Sequence, residues 1–103
     1  MDEPERRFFD DLPKEEQKHW VSELAPSPAD AQRVAVTYDA YKHYPVTYLY
    51  CTSDQALQLE IQKMMVKGAD PEGEFEEEEC DAGHSPFLSQ KELVLDLVKK
   101  MAA

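Results

Sequence analysis

An aspartate and a histidine in this 103-residue chain have the types and the placement needed for acid–base chemistry. Asp54 comes directly after an apolar run, and His84 lies in the segment 81–89, beyond a second strand-like stretch. A carboxylate that accepts a hydrogen bond from an imidazole Nδ1–H orients the ring, as the acid does for the base in a Ser-His-Asp triad. In a parallel sheet both residues would lie at the carboxyl ends of strands, where functional clefts form. Spacing alone leaves another interpretation open, in which Asp54 caps a helix and His84 is a loop residue held by local hydrogen bonds.

The middle of the chain must position these two residues. The segment 46–51 is an unbroken β-branched and aromatic run, which predicts a strand buried on both faces. A polar turn and an amphipathic helix ending at Gly68 follow it. The apolar stripe of this helix is formed by Leu57, Ile61, Met64 and Met65. The acidic segment 74–80 is predicted to be an edge strand, and the order strand, crossover helix, strand predicts a right-handed βαβ unit with parallel strands.

Two short helices are predicted in the N-terminal part of the chain. Pro13 suits a first helical position. The apolar face of this helix is formed by Trp20, Val21 and Leu24. The second helix starts at the capping hydroxyl of Ser27 and runs toward Val34 or Val36. Tandem helices ahead of the strands indicate a helical cap or lid over residues 1–44.

The chain closes on a further amphipathic helix. Ser89 and Glu92 have the spacing of a capping box, and Lys99 and Lys100 suit the negative end of the helix dipole. The apolar stripe is formed by Leu93, Val94, Leu97, Val98 and Met101. Segment 45–103 is therefore predicted to be a βαβα unit. The fold class expected is α/β, with cap helices followed by two parallel strands and their helices.

The charge balance excludes two classes of partner. Acidic residues number 22 against 11 basic ones, and the net charge of −11 repels nucleic-acid backbones and anionic membranes. No run of the sequence approaches the ~18 apolar residues of a membrane span. Cys51 and Cys80 are too few for a disulfide scaffold, and the N-terminus lacks the apolar core of a signal peptide, so a cytoplasmic setting is expected.

No metal site and no cofactor are expected. Cys80 and His84 have a Cys-x-x-x-His spacing, but a structural zinc site needs a second pair of Cys or His ligands nearby. The glutamates of segment 72–79 lack the alternating Asp, Asn and Gly pattern of a calcium loop. They are expected to form a solvated charge run.

Three stretches resemble the C-terminal part of the α/β-hydrolase superfamily. They are segment 48–54, the helical residues Gln62, Lys63 and Met64, and segment 80–89. The most specific is the run Gly-His-Ser-Pro-Phe-Leu-Ser within segment 80–89. The closest branch is the microbial and plant one that includes small esterases and hydroxynitrile lyases. The resemblance implies a partial α/β-hydrolase fold.

By this resemblance Asp54 is the triad acid, His84 is the triad base, and the helices around Trp20 belong to the cap domain that shapes the substrate pocket. A complete relative would hydrolyse a small ester by serine attack, with His84 as general base. Lyase chemistry would use the same pair of residues.

The triad serine of this superfamily sits on a Gly-x-Ser-x-Gly elbow. This sequence has no such elbow, because its three glycines, Gly68, Gly73 and Gly83, are spaced too far apart. The oxyanion-hole loop is missing as well. The chain is therefore expected to be a C-terminal fragment or a remnant of a hydrolase, without ester-hydrolysing activity by itself.

A function of another class stays open. Two strands are fewer than the usual ~5–6 of a sheet, and an unpaired sheet edge invites strand addition. A small, acidic, non-catalytic interaction protein would use that edge to dock a partner or to form a homo-oligomer.

Overall fold

The computed structural model of the protein describes residues 3–27, 30, 33, 35 and 37–103. Its helices are α1 (Pro4–Phe9), α2 (Lys14–Ser22), α3 (Leu59–Ala69), α4 (Pro86–Ser89) and α5 (Lys91–Ala102), with a 3-10 turn at Ala40–Lys42. Two strands, β1 (Thr47–Cys51) and β2 (Glu76–Cys80), form a parallel pair. The predicted α/β architecture with two parallel strands is confirmed. The predicted helix from Ser27 toward Val34 or Val36 lies outside the described residues.

The two strands run in register, from Thr47 opposite Glu76 to Cys51 opposite Cys80. Backbone pairing continues past both strands, because the N–H of Thr52 donates to the carbonyl of Cys80 at 3.0 Å. One residue further on, the N–H of Ser53 donates to the carbonyl of Ala82 at 3.1 Å. The segments that leave the two strands therefore start side by side, and they carry Asp54 and His84.

Burial of β1 is limited to its C-terminal end. Tyr50 and Cys51 are buried, whereas Thr47, Tyr48 and Leu49 are only half-buried. The prediction of a strand covered on both faces was wrong for the first three residues. The reason is that β1 has a single neighbouring strand in the described part of the chain.

Helix α3 turns a different face inward from the predicted one. Ile61, Met64 and Met65 of the predicted stripe are exposed, with Met64 as much as 69% accessible. The buried residues of the helix are Gln62 and Val66. The helix also continues one residue past Gly68 before it ends at Ala69.

The side-chain amide of Gln62 explains this orientation. Its Oε1 accepts the N–H of Cys51 at 3.0 Å, and its Nε2 donates to the carbonyls of Cys51 at 2.9 Å and Leu57 at 2.8 Å. Gln62 is 2% exposed. The amide thus takes the place of a neighbouring strand at the end of β1, and its three hydrogen bonds hold the Gln62 face of α3 against that strand.

The capping box predicted for the last helix is absent. Helix α5 starts at Lys91 after Gln90, and Ser89 is the last residue of α4. The hydroxyl of Ser89 donates instead to the Oδ2 atom of Asp11 at 2.5 Å. Along the predicted apolar stripe, Leu93 packs on the core. The exposed members of the stripe are Val98 and Met101.

Helix α2 is mostly solvated. Pro13 stands just before its first residue rather than in the first turn. Trp20 and Val21 are half-buried and Leu24 is exposed. The short helix α1, which the sequence did not predict, contributes the buried Phe9.

The apolar core is small. It centres on Cys51, Cys80 and Ala82, with Leu49 and Leu93 packed against them. The accessible surface is 8110 Å², whereas a compact monomer of this mass exposes about 6,000 Å². Among the described residues, no helix has the length and apolar character to cross a bilayer.

Replacing Gln62 by Ala removes three hydrogen bonds and leaves the backbone N–H and C=O of Cys51 without these partners. We expect the free energy of unfolding to fall by about 1–3 kcal/mol, the usual cost of buried polar groups left unsatisfied. Urea unfolding followed by far-ultraviolet circular dichroism measures it. Gln58→Ala is the matched control, because Gln58 is exposed one turn earlier, and its effect should stay within about 0.5 kcal/mol. Equal losses in the two variants would contradict the role of the amide.

Candidate active site

The structure brings Asp54 and His84 into direct contact. Nδ1 of His84 lies 2.9 Å from Oδ2 and 3.2 Å from Oδ1 of Asp54. The Asp54 side chain is 6% exposed and the His84 side chain 38%. Since a carboxylate only accepts, the neutral ring donates its Nδ1–H to Asp54 and keeps its lone pair on Nε2. A buried carboxylate beside a solvent-accessible imidazole is an arrangement in which the histidine can act as a general base.

The carboxylate of Asp54 has a second task. Its Oδ1 atom accepts the backbone N–H groups of Ala56 at 2.8 Å and Leu57 at 2.9 Å. Asp54 therefore organises the turn before α3 and contacts His84 at the same time. It does not cap α3, whose N-cap residue is Gln58, so the interpretation of Asp54 as a helix cap was wrong.

The ends of the two strands bring the pair together. Beyond the backbone pairing described above, the hydroxyl of Ser53 donates to Oδ1 of Asp81 at 2.7 Å. The hydroxyl of Thr52 lies 3.3 Å from the carbonyl of Cys80. These contacts tie the segment that holds Asp54 to the one that leads to His84.

The N-terminal segment 8–11 forms the other wall of the site. The ring centroids of Phe8 and His84 are 5.1 Å apart. The hydroxyl of Ser85 donates to the carbonyl of Phe8 at 2.8 Å. The backbone N–H of Gly83 donates to Oδ2 of Asp11 at 2.8 Å. In the sequence, Asp11 simply precedes the predicted helix at Pro13. No local pattern signals its partner, which lies 72 positions away.

Gly83 lets two carboxylates lie close to the backbone of the loop. A Cβ atom at this position would lie 2.5 Å from Oδ1 of Asp10 and 3.1 Å from Oδ1 of Asp11. Any larger residue would push these carboxylates away from the loop. The glycine next to His84 therefore serves packing against the N-terminal segment.

Three carboxylates share this small region. The pKa of Asp10 is raised above its ordinary value, first by partial removal from solvent, then by the charge of Asp11, with a smaller contribution from Asp54. The three carboxylates are therefore close enough for their charges to interact.

The two cysteines and the serines of the segments around the site all have other environments or partners. Burial, followed by the neighbouring Cys80, raises the pKa of the Cys51 thiol to about 12, and burial also raises the pKa of Cys80. Both thiols are free and buried, and at neutral pH they stay protonated. The hydroxyls of Ser53, Ser85 and Ser89 donate to Asp81, Phe8 and Asp11.

Two further observations concern metal binding. Within the described ranges, no three His, Cys, Asp or Glu side chains come together as a group of metal ligands. Cys80 lies in the core and His84 at the surface of the loop, so the pair that resembled half a zinc motif does not share one environment.

Comparison with known proteins identifies relatives over almost the whole chain. Residues 1–97 match the family described as "Alpha/beta hydrolase family". The chain is also 32% identical over 82 residues to "Alpha/beta hydrolase nvfD" of Aspergillus novofumigatus (strain IBT 16806). That alignment covers 80% of this chain and 32% of the relative. The chain therefore spans about a third of the length of the curated relative it matches.

Asp10→Asn tests the electrostatics of the site. Because the folded-state pKa of Asp10 is raised, the folded state holds this proton to higher pH, and the charged form costs stability at pH 7. We expect Asp10→Asn to raise the free energy of unfolding at pH 7. The gain should shrink as the pH falls through the raised pKa and vanish below about 3.9, the ordinary value for aspartate.

Urea unfolding between pH 3 and pH 7 measures this dependence. Asp96→Asn, at an exposed position of α5, controls for the change in net charge. A gain for Asp10→Asn that does not depend on pH, or one that Asp96→Asn matches at every pH, would show that the local carboxylates are not its cause.

Proposed function

Because this chain belongs to the α/β-hydrolase family, we propose that Asp54 and His84 are the acid and base of a serine-hydrolase triad whose substrate is a small ester. His84 takes the proton of the serine hydroxyl through Nε2 as the serine oxygen attacks the ester carbonyl. Asp54 orients the ring and stabilises the imidazolium, and His84 then gives the proton to the leaving alcohol. The observation that supports this most is the 2.9 Å contact between a buried carboxylate and an accessible imidazole.

The remaining parts of the machinery lie outside these 103 residues in this proposal. The sequence contains no Gly-x-Ser-x-Gly, and the relative that it matches is about three times as long as the aligned part. A nucleophile on a sharp turn and an oxyanion hole would come from the rest of such a fold. Segment 1–44 would then belong to the cap and segment 45–103 to the C-terminal part of the hydrolase domain.

Without those parts, His84 and Asp54 have no hydroxyl to activate and no donors for a tetrahedral oxyanion. The chain by itself should therefore hydrolyse esters no faster than free imidazole does. This expectation separates a partial catalytic unit from a small complete enzyme.

The proposal is tested with the longer protein that the transcript encodes. We extend the reading frame upstream of Met1, express the longest in-frame product and measure its turnover of p-nitrophenyl acetate and longer esters. His84→Ala and Asp54→Asn are expected to lower kcat by roughly 10³–10⁴-fold with little change in KM, because both act on the transition state.

His43→Ala is the matched control, since His43 is an exposed histidine that stacks on Tyr38. It should leave kcat within about twofold. Hydrolysis that survives in the His84→Ala variant, or an upstream frame that encodes no nucleophile elbow, would contradict the proposal.

A second candidate function is a non-catalytic interaction protein, and the edge of β1 opposite β2 favours it. The N–H of Glu76 donates to the carbonyl of Val46 and that of Thr52 to the carbonyl of Cys80, so the even-numbered residues of β1 face β2. The odd-numbered residues face the other edge. There the Gln62 amide covers Cys51, and the carbonyl of Leu49 lies 3.9 Å from the Cys51 thiol. No strand in the described part of the chain pairs with this edge, so a strand from a second copy would add beside Thr47.

Self-association through this edge is tested with Thr47→Pro. Proline removes an N–H from the open edge and leaves the pairing with β2 in place. If the edge joins two copies, light scattering after size exclusion should show a dimer that strengthens with salt, because the net charge of −11 opposes association. Thr47→Pro should abolish the dimer and Thr47→Val should keep it. A monomer at all salt concentrations would exclude self-association through this edge.

A further inference from the structure

The carboxylate of Asp11 holds the loop that carries His84 at both of its ends. Its Oδ2 atom accepts the N–H of Gly83 at 2.8 Å, just before His84, and the hydroxyl of Ser89 at 2.5 Å, beyond it. These partners are 72 and 78 positions away in the sequence. We propose that Asp11 is a positioning residue, which sets the imidazole of His84 against Asp54.

The loop is held on the other side of His84 as well. Ser85, which is buried, donates its hydroxyl to the carbonyl of Phe8 at 2.8 Å. The residues directly before and after His84 are thus both bonded to the same N-terminal segment. Little freedom remains in the backbone at His84, so the ring is placed by the segment that contains Asp11.

A carboxylate suits this task better than a neutral group. A charged acceptor makes shorter and stronger hydrogen bonds, and one carboxylate oxygen accepts two donors at once. The absence of a side chain at Gly83 lets Asp11 approach the backbone, since a Cβ there would lie 3.1 Å from its Oδ1. Placement of this kind matters because displacement of a catalytic group by about 1 Å costs up to 10²-fold in rate.

The expected effect of Asp11 on catalysis rests on the proposed function, whereas its effect on the position of the His84 ring does not. The tautomer of the His84 imidazole is therefore measured first. Long-range ¹H–¹⁵N correlation spectra of the 103-residue chain, recorded where imidazole is neutral, report which nitrogen of His84 carries the proton. The His84→Ala spectrum assigns the signals. In the wild type we expect the Nδ1–H tautomer, because Nδ1 faces the Asp54 carboxylate.

Asp11→Ala should lower the ratio of the Nδ1–H to the Nε2–H tautomer by roughly tenfold, the size expected when one hydrogen bond's preference is lost. Asp11→Asn should restore most of the ratio, because its amide oxygen still accepts both donors. Ser89→Ala removes one of the two contacts and should give an intermediate ratio. This variant also allows the tautomer ratio to be measured if Asp11→Ala does not fold.

Asp70→Ala is the matched control. Asp70 accepts the N–H groups of Glu74 and Phe75, both at 2.8 Å, in the loop before β2 and away from the site. It should lower the urea midpoint about as much as Asp11→Ala but leave the tautomer ratio unchanged. A tautomer ratio that is unchanged in both Asp11→Ala and Ser89→Ala, or that shifts equally in Asp70→Ala, would overturn the inference.

The two proposals fail in different ways. A wild-type His84 without the Nδ1–H tautomer would count against the triad and against the positioning role. A normal wild-type ratio with no change in the Asp11 and Ser89 variants would count against Asp11 alone. In any longer catalytically active product, Asp11→Ala should lower kcat and not raise KM, and Asp70→Ala should change neither.

Discussion

The buried carboxylate of Asp54 organises both the turn before α3 and the loop after β2. A charge removed from water is costly unless it is fully hydrogen bonded. Asp54 meets this requirement with the N–H groups of Ala56 and Leu57 and with the imidazole of His84. Each donor fixes a different part of the chain. The turn into α3 must close on Oδ1, and the loop after β2 must bring its histidine to Oδ2.

Hydrogen bonds of this kind organise the molecule more than its apolar core does. The core is a small cluster around Cys51, Cys80 and Ala82. The buried polar residues Asp54 and Ser85 join segments 30 and 77 positions apart, and Gln62 joins α3 to the end of β1. Among the described residues, every buried side-chain nitrogen or oxygen has a partner. Since a buried donor or acceptor left unsatisfied costs about 1–3 kcal/mol, these bonds constrain how the segments that carry them are oriented.

Apolar side chains remain on the surface of the described residues. Helix α3 directs Gln62 and Val66 inward, and Met64 and Met65 are exposed. The first residues of β1 are half-buried, and in the described part of the chain β1 pairs only with β2. In the catalytic proposal, further strands and helices of the fold pack on such surfaces. The catalytic proposal and the interaction proposal differ in what covers them.

Local features could be predicted from the residues alone. The apolar run at 46–51 marked β1 to within one residue, the order of elements determined the parallel pairing, and the residues after each strand marked Asp54 and His84 as neighbours. The inward face of α3, the partner of Ser89 and the contact of Asp11 with the His84 loop follow from tertiary contacts instead. Periodicity and capping patterns report interactions within a turn or two of a helix, whereas Asp11 bonds residues 72 and 78 positions away, and Gln62 reaches back across the turn to the end of β1, 11 positions away.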